Sequence, residues 1–261
     1  MKMDAEEEIE FEGDDRCPTG IPGLDEVISG GFPRGRTILL TGACGTGKTI
    51  FGIQYLFNGI TKYNEPGVLV LLEQNIEQLK KDMRSFNYDI RELEEVGKLV
   101  VIDASLSRFN VSDINLPKPS HDRSFSLTSV ELIETKEVVD IIIDTAKEIG
   151  ARRIVIDSLP ALNNLVKSRD SVRDIILNMN YRLQGNGFTS VLIDDIFDDS
   201  KPGFSIQAYV VDGVVVLDYK TSGPDIGRYL TIQKMRGTKH SDNIHPIRFT
   251  EGVGMEVLGL E

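Results

Sequence analysis

The run Thr37-Ile38-Leu39-Leu40-Thr41-Gly42-Ala43-Cys44-Gly45-Thr46-Gly47-Lys48-Thr49 passes from a short apolar segment through three glycines. Its first five residues read as a buried strand. Beyond it, Ile50, Phe51, Ile53, Leu56, Phe57 and Ile60 recur at helical spacing, which predicts a helix over Ile50–Ile60. The glycine segment between them fits G-x-x-x-x-G-K-[ST], in the strand-loop-helix setting that pattern requires. Backbone N–H groups and a helix N-terminus then surround an anion. Gly42, Gly45 and Gly47 allow close backbone approach, Lys48 reaches the β- and γ-phosphates of a nucleotide, and Thr49 offers its hydroxyl to Mg²⁺. The expected binding segment is Gly42, Ala43, Cys44, Gly45, Thr46, Gly47, Lys48, Thr49 and Ile50, with a nucleotide and Mg²⁺ as its ligands. A structural glycine turn is the alternative, and it leaves Lys48 without a reason.

Outward from this segment, apolar runs alternate with amphipathic ones. Val68–Leu72, Leu99–Ile102, Ile154–Ile156 and Ser190–Ile193 read as buried strands, and Val130–Ile149 and Ser171–Leu183 as helices. Asn75, with Gln78 three residues on, resembles a capping box opening a helix through Met83. Such alternation implies an α/β fold: a mostly parallel twisted sheet with helices on both faces. From Ala208 the texture changes, and Val210–Tyr219, Tyr229–Met235 and Ile247–Leu258 predict C-terminal antiparallel hairpins. The polar stretch Ser105–Ser126 is long for a connection and reads as a surface loop.

The chain has 261 residues, 40% hydrophobic and 27% charged, which excludes collagen-like, low-complexity and wholly disordered classes. Its net charge is −12, but residues 1–15 hold eight acids against Lys2, leaving −5 for 16–261. Residues 1–15 therefore read as a solvated acidic tail and 16–261 as one domain. The near-neutral remainder gives nucleic acid no general electrostatic attraction. Cys17 and Cys44 are too few for a disulfide framework and lack metal-ligand spacing. No apolar run is long enough to span a bilayer and the N-terminus does not read as a signal peptide, so no membrane partner and a cytoplasmic location are expected.

A nucleotide loop needs an acidic strand end to complete its metal shell. Asp157 closes the apolar run Ile154-Val155-Ile156, the sheet edge where open α/β folds bind ligands; a helix cap is the alternative. Glu73 ends the strand Val68–Leu72 in the same way, as a base for an attacking water or as a first-turn acid of the next helix. His240 and His245 lie in a polar turn without helical metal spacing, which favours a surface or interface role.

These residues resemble the KaiC branch of the RecA/RadA superfamily over nearly the whole chain from Arg16. The likeness is carried by Pro18-Thr19-Gly20-Ile21-Pro22-Gly23-Leu24-Asp25, Gly30-Gly31, the P-loop, Ile53-Gln54-Tyr55-Leu56, Asn58-Gly59, Ile156-Asp157-Ser158, Asp212-Gly213 and Lys234-Met235-Arg236-Gly237-Thr238-Lys239-His240-Ser241. KaiC has two such units in tandem, and this chain resembles the one-unit archaeal type. The resemblance implies a RecA-like P-loop NTPase core, ATP or ADP with Mg²⁺ as ligands, and ring or filament assembly with nucleotide between adjacent subunits. The expected assembly is a ring-forming homo-oligomer, a hexamer, whose conformational change is read by a protein partner. It puts the P-loop functions on Lys48 and Thr49, the metal-shell aspartate on Asp157, the catalytic glutamate on Glu73, and the groups reaching a neighbour's γ-phosphate on Lys234 and Arg236. Without the resemblance, Arg236 reads as a solvated charge on an edge strand.

Two departures bear on the reaction. The family's adjacent glutamate pair is Glu73-Gln74 here, and an amide accepts no proton at neutral pH. The Ser-Thr phosphoacceptor pair of the autokinase half is replaced by Ala208-Tyr209, which favours hydrolysis over autophosphorylation. The expectation is a regulatory or signalling Mg-ATPase. Its alternatives are an ATP-dependent binder of single-stranded DNA assisting recombination and a nucleotide-gated scaffold with little turnover.

Overall fold

Residues 15–103, 125–126, 135–161, 172–195, 206–220 and 226–259 are described by a computed structural model of the chain. The acidic block up to Asp14, most of Ser105–Ser126 and the start of the helix expected from Val130 lie outside these residues. In chain order the elements are β1 (Arg16–Cys17), α1 (Leu24–Val27), β2 (Phe32–Pro33), β3 (Thr37–Gly42), α2 (Lys48–Tyr63), β4 (Gly67–Leu71), α3 (Ile76–Met83), α4 (Ile90–Glu95), β5 (Leu99–Asp103) and β6 (Phe125–Ser126). There follow α5 (Thr135–Glu148), β7 (Arg153–Asp157), α6 (Val172–Gly185), β8 (Thr189–Asp195), α7 (Ile206–Val210), β9 (Gly213–Lys220), β10 (Gly227–Met235), β11 (Ile244–Thr250) and β12 (Gly254–Val257).

Ten strands form one sheet in the order β12-β11-β10-β9-β3-β8-β7-β4-β5-β6. The seven from β9 to β6 pair in parallel, and β10, β11 and β12 add antiparallel hairpins. Side chains alternate across a strand, so a sheet covered on both faces needs two apolar layers. Leu69, Leu71 and Val155 point into a layer with α2, α3 and α4, whereas Val68, Val70, Ile154 and Ile156 point into another with α5 and α6.

Several local expectations change. The run Ile247–Leu258 is two strands joined by a turn, and Ser105–Ser126 ends in the edge strand β6. Asn75 caps α3, its side chain accepting from Glu77 N–H and Gln78 N–H, but Gln78 does not reach back. Its amide instead donates to Asp82 at 2.7 Å, one turn along, so the capping box is half made.

The motif residues around Thr19 and Asn58 turn out to be fasteners. Asp25 accepts from Thr19 N–H, Thr19 Oγ1 and Gly20 N–H, and Asn58 of α2 donates to Gly20 C=O at 2.9 Å. At Gly59 a Cβ would lie 2.4 Å from the Arg153 side chain, so only glycine lets that fully buried arginine pass. Arg153 donates through Nε to Glu65 Oε2 at 2.7 Å, and its Nη2 makes an ion contact with the same oxygen at 2.6 Å, off the hydrogen-bonding direction. The guanidinium also lies over the Tyr55 and Tyr63 rings, and Arg34 holds the second oxygen of Glu65 at 2.7 Å. Burial acts to raise the Glu65 carboxyl, but Arg153 and Arg34 outweigh it and hold it below its ordinary range. Glu65→Gln leaves a buried guanidinium without its counter-charge and is expected to destabilise the fold by about 3–5 kcal/mol, read by denaturant titration. A loss within the range of ordinary surface substitutions, about 0.5 kcal/mol, would show that the tyrosine rings suffice.

Candidate active site

The P-loop joins two buried elements, the end of β3 and the first turn of α2. Lys48 and Thr49 already lie in that turn, so the helix starts two residues before the expected Ile50. Its ladder begins with Phe51 N–H to Gly47 C=O at 3.0 Å, which leaves the N–H groups of Lys48, Thr49 and Ile50 on the loop side. The Ile50 side chain packs on the core, so only its backbone N–H faces the loop. Gly47 has φ of 104° and a Cβ there would lie 2.2 Å from the Phe249 ring, so the loop closes only with glycine. Thr46 is buried and donates to Ala43 C=O at 2.8 Å, bracing the loop, and Cys44 is exposed.

The acidic strand ends meet the loop along one edge of the sheet. Thr49 Oγ1 donates to Asp157 Oδ2 at 2.7 Å, and Ser158 Oγ donates to Glu73 Oε2 at 3.0 Å. Asp157 therefore binds the P-loop threonine instead of capping a helix. Burial pushes its carboxyl up, Thr49 and Lys48 pull it back, and the charges of Glu73 and Asp195 add to the rise. The cradle suits a phosphate, and the Thr49–Asp157 pair supplies hard oxygen donors of the kind Mg²⁺ takes. Glu73 is exposed at the end of the β4 run, beside Gln74, whose amide donates to Thr49 Oγ1 at 3.5 Å.

Lys234 and Arg236 lie elsewhere. Met235 pairs with Gly213, which pairs with Ile38 at the start of β3, whereas the P-loop follows Gly42 at its end. Strand geometry separates the two sites by about 13 Å along the strands and about 10 Å across them, beyond one arginine's reach. β10 is also an interior strand between β9 and β11, not the edge strand expected. A bulge at Gln233 re-aims Lys234, whose ammonium donates to Ala208 C=O (3.0 Å) and Val211 C=O (2.6 Å). Burial and neighbouring Arg236 lower the Lys234 amine, against Asp212. The Arg236 guanidinium is exposed and, among the described residues, makes one long contact, 3.5 Å, to Tyr209 C=O.

A family model described as the ATPase KaiC matches residues 17–261. The chain belongs to the KaiC ATPase family. A UPF0273 protein of Methanocaldococcus jannaschii is 34% identical over 249 residues, which cover 91% of this chain and 95% of that protein. The circadian clock oscillator protein KaiC of Thermosynechococcus vestitus is 32% identical over 246 residues, 94% of this chain and 44% of that protein. The crystal structure of a KaiC-like protein from Pyrococcus horikoshii matches with a TM-score of 0.76 and 33% identity, covering 94% of this chain and 99% of that one. The fold is thus the KaiC-like RecA type, one such unit, and the P-loop belongs to a nucleotide-binding ATPase family. Among the described residues no helix is long and apolar enough to cross a membrane.

The KaiC-type site contains groups that the sequence did not single out. Lys48 Nζ lies 2.9 Å from Asp195 Oδ1, at the end of β8, and beside it burial pushes the Asp194 carboxyl up to about 6. Arg228 of β10 donates to Gly45 C=O at 3.1 Å and lies over the Tyr219 and Phe249 rings. The carboxylates were findable as a third acidic strand end; Arg228 was not, because pairing of β9 with β10 alone brings it to the loop. His245, expected in a surface or interface role, is buried in β11 with Nε2 2.8 Å from Ser241 Oγ.

Proposed function

We propose that this KaiC-family chain hydrolyses ATP at a site completed by a second copy of itself, in a homo-oligomeric ring. The reading is supported above all by the meeting of Lys48, Thr49, Asp157 and Glu73 at one sheet edge while Arg236 stands too far away to serve it. Gly42–Thr49 encloses the phosphates with backbone N–H groups, and Lys48 neutralises charge on the β- and γ-oxygens. Thr49 and Asp157 would hold Mg²⁺, which spreads the developing charge of the transferred phosphoryl group. Glu73, its carboxylate fixed by the Ser158 hydroxyl, takes the proton of the attacking water. Arg236, with Lys234 behind it, supplies positive charge to the γ-phosphate held by the neighbouring subunit.

Hydrolysis rather than self-phosphorylation agrees with the segment against which Lys234 and Arg236 are anchored. Ala208 is buried there and Tyr209 exposed, with no serine or threonine hydroxyl at either position. Glu73→Gln is expected to leave ATP affinity unchanged and slow phosphate release at least about a hundredfold. Turnover like that of the unmodified chain would return Glu73 to a structural role. The contact of the Gln74 amide with Thr49 favours one other reading, a scaffold that binds ATP and assembles but barely turns it over. Single-turnover hydrolysis by assembled protein separates the two.

A further inference from the structure

Phosphate binding does not explain the third partner of Lys48. Its ammonium donates to Gly42 C=O at 2.7 Å and Ala43 C=O at 3.0 Å and makes an ion contact with Asp195 Oδ1 at 2.9 Å, off the hydrogen-bonding direction. Asp195 stands opposite Gly42 in the parallel register of β3 and β8, so the sheet itself sets its place. Its backbone N–H is held by Asp194 Oδ1 at 3.0 Å. The Lys48 side chain is 10% exposed and that of Asp195 46%, so the carboxylate stands at the solvent boundary of the cradle. Asp157 and Glu73 add negative charge on the same edge, and Asp157 feels both Asp195 and Glu73. Arg228 meets the loop at the Gly45 carbonyl instead of this edge.

An entering phosphate oxygen must take the place of the Asp195 carboxylate on Lys48. It then stands beside that displaced carboxylate with its own negative charge. A divalent cation carried with the nucleotide offsets that repulsion; a bare phosphate brings nothing to do so. We propose that Asp195 is a specificity-determining residue of the phosphate site, its carboxylate competing with phosphate for Lys48 so that nucleotide binds more tightly with a divalent cation than without one. This rests on the reading of Gly42–Thr49 as the nucleotide site.

The test is equilibrium binding of ADP, by calorimetry, in EDTA and in Mg²⁺, to the unmodified chain, Asp195→Asn and Asp195→Ala. Both variants are expected to bind ADP in EDTA about tenfold tighter, the scale of one close charge pair at the protein surface, with a smaller gain in Mg²⁺. Placing Asp195→Asn in a Lys48→Ala background should abolish the gain. Unchanged or weaker binding in EDTA, an equal gain in both conditions, or a gain that survives without Lys48 overturns the assignment. If the unmodified chain binds ADP in neither condition, the nucleotide-site reading itself falls and takes this inference with it. Half-exposed Asp195 leaves the fold intact on substitution, and an unchanged melting temperature checks that.

Discussion

Arg236→Ala lowers turnover per subunit by about 10³–10⁵, the range that a charge-stabilising arginine supplied from a neighbour contributes, while ATP still binds. The size follows from where Arg236 stands. Its backbone N–H is tied to Asp212 C=O at 2.9 Å, which fixes the turn after β10, but among the described residues its guanidinium has only a 3.5 Å contact to Tyr209 C=O. A charge so placed contributes little to its own subunit's stability, so alanine leaves the fold unchanged. Its value is realised only against a phosphate brought by another copy, in the water-excluded contact where charge stabilisation is strongest. Steady-state phosphate release, with melting temperature and ATP affinity on the same samples, reads all three. A loss of less than tenfold returns Arg236 to the solvated charge that its local sequence suggests.

The second large effect is at the opposite end of the sheet. Lys48→Ala removes the side chain proposed to meet the β- and γ-phosphates, and nucleotide affinity is expected to fall at least about a hundredfold, the scale of two charge-assisted hydrogen bonds. The fold survives because the ammonium packs against carbonyls and the half-exposed Asp195, not against the apolar layers. Fluorescent-nucleotide titration and thermal melting check both halves. Undiminished affinity would remove Gly42–Thr49 as the nucleotide site.

What was legible in the sequence is what local chemistry determines. The switch from Thr37–Thr41 to the spacing of Ile50–Ile60 marks a strand, a loop and a helix, because burial on a strand and on a helix follow different periods. Asp157 and Glu73 were visible because an acid at the end of an apolar run has no packing reason to be there. What was not legible depends on which strands pair. β10 lies inside the sheet because β11 and β12 cover it, and nothing within Gly227–Met235 announces that. His245 looked like part of a polar turn, yet pairing of β10 with β11 sets it opposite Leu230 and buries it. Pairing of β9 with β10 brings Arg228 to a loop 183 residues away along the chain, and β11 adds Phe249 beside it. Asp194 and Asp195 were passed over as the exit of an apolar strand, although they share the sheet edge that made Asp157 conspicuous.

The site shared between copies is the central claim, and mixing two disabled chains tests it most directly. Arg236→Ala keeps an intact P-loop and Lys48→Ala keeps an intact Arg236, so each is inactive alone. A mixed interface restores one complete site. Phosphate release is measured on the two chains separately and after mixing, with solution mass confirming that mixed oligomers form. Recovery of hydrolysis in the mixture, rising with total protein concentration until assembly is complete, is the expected result. Mixed oligomers that stay as inactive as their parents would contradict it.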